Sequence, residues 1–191
     1  MLCHPRPNGM PLQRRLWTGM CLLLWVLLWM APGHAAEPVD ESDLKAAYVF
    51  NFIQYIEWPE GDLAGQADWT VCVLPFSPLK RALTALEDRP ARKGRPIRVR
   101  LVEPAALDDC QVLVLHAATP EPLLRALRAL PPQHGVLTVA DGSLPPAAHA
   151  QVMISLVPQD GRIGFTINTE ATARGGLTVS SRLLRLAKAT R

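Results

Sequence analysis

Few of the features that announce an enzyme occur in this sequence. There is no G-x-S-x-G nucleophile elbow, and no glycine loop follows a strand in the way that cradles phosphate. Histidine is scarce, with five in 191 residues. The three beyond residue 35, His116, His134 and His149, are not at metal-ligand spacing from one another or from a cysteine. Cys72 and Cys110 do not form C-x-x-C, which argues against a thioredoxin-type catalyst. Repeats, low-complexity tracts and internal linkers are absent.

Charge of one sign is also missing, although the formal net charge of +3 hides this. The first 35 residues hold three of the 20 Lys and Arg (Arg6, Arg14, Arg15) and none of the 17 Asp and Glu. Residues 36–191 are therefore balanced, and no basic field for nucleic acid remains. The excess belongs to a segment with the order of a secretory signal peptide. Arg6, Arg14 and Arg15 precede an apolar run, Leu16 to Met30, and "APGHAA" supplies small residues before a cleavage point after Ala35. A retained anchor is the rival reading, but fifteen apolar residues fall short of the roughly 20 that span a bilayer. Cys21 follows Met20 and precedes further apolar residues, which argues against a lipoprotein signal. The expectation is a cleaved leader, residues 1–35, and one exported domain, residues 36–191.

Export changes what the cysteines mean. Two of the four leave with the leader, so Cys72 and Cys110 are either one disulfide or a pair of buried thiols on separate strands.

Along the chain, residues 40–57 predict a helix, with Ser42 or Asp40 as N-cap and Pro59 as the stop. "WTVCVLPF" (69–76) predicts a strand, and Pro78 opens a helical stretch to residue 88. "IRVRLV" (97–102) alternates and predicts a half-exposed strand near an edge. "CQVLVL" (110–115) and "GVLTVAD" (135–141) predict buried strands, with a helix over 120–130 between them. Residues 152–168 predict a hairpin turning at Asp160-Gly161. A short helix ending at Gly175-Gly176 follows, then a last helix capped by Ser180 or Ser181. Strands alternating with helices give an α/β class: a three-layer sandwich with a mostly parallel central sheet, an aromatic-rich first helix and a terminal hairpin plus helix.

Aromatic residues make up only 6% of the chain, yet five of them lie in "KAAYVFNFIQYIEWP" (45–59). Apolar side chains surround most of that helix, whereas a stripe a little over 100° wide suffices to sit on a core. A two-sided core, a membrane or a second protein would each cover the remainder. Arg182, Arg185 and Lys188 form a basic stripe at spacing three on the last helix. It reads either as a solvated face that complements the helix dipole or as a contact surface. His116 and Asp141 end strands, where α/β folds place sites, although nothing in the sequence marks a basic partner for Asp141. On these grounds the expectation is a binding protein. A small-ligand module signalling to a histidine kinase or another receptor is the alternative, and an enzyme using His116 the third reading.

"LKAAYVFNFIQYIEWP", "WTVCVLPFSPL", "GRPIRVRLV", "LDDCQVLVLH", "LTVAD", "GRIGFTIN" and "GLTVSSRLLRLA" together resemble the YfiR family of periplasmic regulators, in the same order and over the whole exported part. The resemblance implies a periplasmic protein, not an enzyme and without a cofactor. It implies repression of a membrane-anchored diguanylate cyclase through that enzyme's periplasmic region, which lowers cyclic-di-GMP and biofilm formation. Implied partners are that periplasmic domain, an outer-membrane peptidoglycan-associated lipoprotein and a second copy of the chain. Cys72 and Cys110 occupy the positions of family cysteines, which favours the single bridge. The chain departs from the family pattern at "PPAAHAQ" and lacks the further cysteines some members carry there, so switching through a second bridge is not carried over. Tyr48, Phe52 and Tyr55, with Arg182 and Arg185, are the expected interface residues.

Overall fold

The helix expected over 40–57 forms as α1, Glu41–Tyr55, in a computed structural model that describes residues 40–59, 66–159 and 161–188. The leader expected over 1–35 lies outside the described residues. Asp40 is the N-cap: its carboxylate accepts the Ser42 amide at 2.8 Å, and that bond holds its pKa below the ordinary carboxylate value. Glu41 and Asp43 then complement the helix dipole. The helix ends two residues earlier than expected, because Ile56–Glu57 (β1) leaves as a strand and pairs antiparallel with Thr178–Val179 (β8).

The main sheet contains Trp69–Val73 (β2), Ile97–Leu101 (β3), Val112–His116 (β4), Leu137–Asp141 (β5), Ile154–Gln159 (β6) and Arg162–Ile167 (β7), in the order β3-β2-β4-β5-β6-β7. All neighbours are parallel except the β6–β7 hairpin. As the alternation predicts, β3 is an edge strand; Arg98 on it is held by Asp68 and Asp88. The central β4 is buried throughout. Proline is tolerated in β6 because Pro158 lies beyond Leu156, where pairing with β5 ends, and is needed there by neither neighbour as a donor.

Side-chain alternation along the strands divides the core. Val71, Val112, Val114, Leu137, Val139 and Phe165 pack toward α1, together with Lys80–Thr84 (α2), Thr169–Arg174 (α4) and Ser181–Leu186 (α5). Cys72, Leu113, Leu115 and Ala140 pack the other way, under Glu121–Arg128 (α3) and a 3-10 turn at Pro146–Gln151. The result is the expected three-layer α/β sandwich with a mostly parallel sheet.

Two helices differ from expectation. The stretch from Pro78 is helical only over α2; short-range turn bonds follow, and Asp88, at φ 61°, sends its amide to the Ile97 carbonyl. After α4, Leu177 donates to Thr172 while Gly176 takes φ 77°, a Schellman close that needs glycine there. The chain then forms β8, which the sequence pattern did not predict, and α5, capped by the Ser180 hydroxyl.

That return path explains the wide apolar girth of α1. The sheet lies beneath it, α2 flanks one side, and β8 with α5 flanks the other. The Tyr55 carbonyl accepts the Ser180 amide at 3.0 Å. Phe52 meets Phe165 edge-on at 5.2 Å, and Arg89 lies 4.9 Å over the Phe50 ring. At the far end, Trp58 packs on Trp69 at 4.8 Å and donates to the Gly135 carbonyl. The excess apolar surface is thus largely consumed within the chain.

Candidate functional site

Three places deserve comparison: the bridge, the carboxyl ends of the parallel strands, and the face where α1, β7 and α5 meet. Cys72 and Cys110 are joined by a disulfide with a Cα–Cα distance of 5.7 Å. Both are buried beneath α3. The bridge ties β2 to the segment entering β4 and encloses β3 in its loop.

At the strand ends, His116 and Asp141 are register neighbours. Asp141 has a basic partner after all. Lys45, one turn into α1, reaches its carboxylate at 2.7 Å and Glu41 at the same distance. The Asp141 side chain is 6% exposed and that of Lys45 15%. Burial pulls the Lys45 pKa down, and the hydrogen bonds from Asp141 and Glu41 outweigh it, so the ammonium is held above its ordinary value. A sequence signal existed, since Lys45 is the lone cation in the first turns of α1, but a partner 96 residues away is invisible to local spacing. His116 is 8% exposed. Its Nδ1 accepts the Ala118 amide, and Thr119 closes the turn by donating to the His116 carbonyl. Its Nε2 is buried without a partner among the described residues.

Three cavities of about 500, 430 and 480 Å³ open on the surface, and neither His116 nor Asp141 lines any of them. The first lies between the Pro146–Gln151 turn and the β6–β7 face, lined by Ser155, Leu156 and Thr166 among others. The second lies against α4 and includes His134, whose pKa burial lowers. No group of His, Cys, Asp and Glu among the described residues is arranged to hold a metal. At His116 and Asp141 themselves the structure places a histidine locked in its turn and an ion pair, while Ser143, His149 and Asn168 line the first cavity just beyond the end of β5.

The third cavity, about 480 Å³, includes Tyr48 of the expected interface residues. Tyr48, Gln159, Arg162, Ile163, Gly164, Phe165 and Leu186 line it. Tyr48 is half-buried and donates its hydroxyl to the Ile163 carbonyl at 2.9 Å. The Lys188 amide donates to the Phe165 carbonyl at 2.8 Å. Both bonds occupy outward carbonyls of β7, an edge strand, which protects it against pairing with another chain. Arg182, Arg185 and Lys188 on and after α5 are exposed, as is Arg162. Leu186 projects from the same helix at 70% exposure.

The expected set is thus divided. Tyr48 and Tyr55 are half-buried and pack against the core, while Arg182 and Arg185 stand on the surface. Phe52 is corrected: at 0% exposure it is a core residue and cannot contact a partner. Position alone could not separate them, because Phe52 faces Phe165 across α1's buried side while Tyr48 sits at its border. Sequence reasoning missed Leu186 and also Phe76, which is 92% exposed. Phe76 stands on a turn between Pro75 and Pro78, closed by the Ser77 amide on the Leu74 carbonyl. The signal was an aromatic set among prolines, where no strand could bury it.

No helix among the described residues is long and apolar enough to cross a membrane. No curated protein matches the chain. Residues 42–188 match the YfiR/HmsC-like family, a span that runs from the first turn of α1 to the end of α5. The bridge, the aromatic first helix and the closing helix all fall inside it, and this chain belongs to the YfiR/HmsC-like family of periplasmic regulators of cyclic-di-GMP signalling, which act with partner proteins rather than by catalysis.

Proposed function

We propose that the protein is exported by cleavage after Ala35 and represses a membrane-anchored diguanylate cyclase by binding the cyclase's periplasmic sensor region, lowering cyclic-di-GMP and biofilm formation. The observation that carries this reading is the α1–β7–α5 face, where half-buried Tyr48 and exposed Arg162 and Leu186 line a groove and exposed Arg182 and Arg185 stand on the helix that carries Leu186. A ligand enters an equilibrium only through its different affinity for two states. The regulator would therefore bind the silent conformation of the sensor more tightly than the active one.

Within this reading, a peptidoglycan-associated lipoprotein of the outer membrane competes for the regulator, and the regulator works as a homodimer. The Cys72–Cys110 bridge links the fold to the redox state of the periplasm, because its loss would reduce the folded fraction.

Site-specific cross-linking tests the contact. A photoreactive residue placed at Arg185 should trap a membrane diguanylate cyclase in intact cells, while one placed at Arg125 on α3 should not. Recovery of no cyclase from either position would contradict the proposal.

A further inference from the structure

We propose that the α1–β7–α5 face receives an acidic segment of the partner polypeptide, with one apolar side chain seated in the groove and carboxylates lying along a rim of arginine and lysine. This rests on the binding role proposed above and adds the chemistry of what is bound.

The cations here are uncompensated among the described residues: Arg162 lines the groove, and Arg182, Arg185 and Lys188 lie on or just after the helix that carries Leu186. Arg162, Arg182, Arg185 and Lys188 are exposed, and none pairs with a carboxylate among the described residues. Arg81, Arg98, Arg128 and Arg174, elsewhere on the surface, each have an acidic partner. No carboxylate among the described residues lines the groove itself. Like charges gathered on so short a segment repel one another, and an incoming acidic chain relieves that repulsion and is steered by it.

The floor is mixed. In the recess of about 480 Å³, Tyr48, Ile163 and Leu186 supply ring and aliphatic surface, while Gln159, Arg162 and the β7 backbone make the rest of the lining polar. Exposed Leu186 at its lip is the kind of side chain that an arriving partner desolvates. The outward carbonyls of Ile163 and Phe165 are already bonded to the Tyr48 hydroxyl and the Lys188 amide. Strand addition through them is therefore closed, and recognition falls to side chains: an apolar anchor with acidic flanks. A bilayer suits the face less well. The apolar atoms are recessed, and only Leu186 stands out, whereas surface helices that enter lipid present a continuous apolar face.

The test uses the full-length chain in its own cell, with cyclic-di-GMP as readout and the deletion strain as reference. Arg182→Glu/Arg185→Glu, and independently Arg162→Glu, should raise cyclic-di-GMP toward the deletion level. Arg125→Glu on α3 should leave it at the wild-type level. The purified variants should melt with the wild type, since all these side chains are exposed. If deletion raises cyclic-di-GMP but both rim variants repress normally, the acidic-segment assignment is wrong while the regulatory role stands. If deletion changes nothing, the regulatory role itself fails and takes the assignment with it. Sedimentation of the purified protein with phosphatidylglycerol vesicles but not with phosphatidylcholine vesicles, lost in Arg182→Glu/Arg185→Glu, would assign the rim to lipid and overturn the proposal.

Discussion

Breaking the Cys72–Cys110 bridge should cost a large share of the protein's stability. The bridge spans 38 residues of sequence. In the chain-entropy treatment, closing a loop of that length removes enough freedom from the unfolded state to stabilise the fold by about 4 kcal/mol at 25 °C. Both cysteines are almost fully buried beneath α3, so a polar replacement adds a desolvation cost that alanine avoids. The informative perturbation is therefore Cys72→Ala/Cys110→Ala, compared with the oxidised wild type in urea. A domain of ordinary stability, about 5–15 kcal/mol, loses between a quarter and most of it by this change. The midpoint should fall while the slope, which follows the surface exposed on unfolding, stays nearly constant or rises slightly as the freed denatured state expands. Dithiothreitol on the wild type should reproduce the shift. A loss below about 1 kcal/mol with an unchanged slope would refute the reasoning, because the loop constraint would then contribute almost nothing.

Lys45→Met leaves the Asp141 carboxylate buried and without its cation; because Lys45 retains some solvent, a loss of about 2–4 kcal/mol is expected. Lys45→Met/Asp141→Leu should recover much of it, and urea titration of the single and double variants measures both. Tyr48→Phe removes only the bond to the Ile163 carbonyl and should cost about 1 kcal/mol, read as a midpoint shift. For His134, burial lowers the folded pKa below its unfolded value, so the unfolded chain binds the extra proton first. Stability is therefore full above the unfolded pKa, about 6.5, and falls as pH drops below it until the folded form also protonates. Thermal melts between pH 7.5 and 5 should show this slope, and His134→Gln should flatten it.

The architecture was legible because it rests on local signals. Unbroken apolar runs at β4 and β5 and alternation at β3 each declare a strand by its own composition, and the β6–β7 hairpin pairs from Gln159 and Arg162 around the expected turn, of which Asp160 lies outside the described residues. Ser180 and Gly176 likewise mark the helix ends they form. What stayed hidden depends on segments far apart in sequence. The β1–β8 ladder has only two residues a side, too few for a periodic pattern. Its presence brings α5 against α1 and turns apparent excess girth into ordinary core. Phe52 and Tyr48 look alike in a helical projection, and only the position of Phe165 decides which of them is enclosed. Asp141 found its cation in Lys45 across most of the fold. The basic stripe at Arg182 and Arg185 was visible from spacing three, but the conjunction of Leu186 on the same helix with Ile163, Arg162 and a groove required the hairpin and the last helix to be placed together.

The proposed regulator acts by occupying a cyclase rather than by chemistry of its own. Cyclic-di-GMP measured after deletion of the coding region, and again after its restoration, tests this most directly. The account predicts a rise on deletion that restoration reverses; a level indifferent to both, across oxidising and reducing growth conditions, would contradict it.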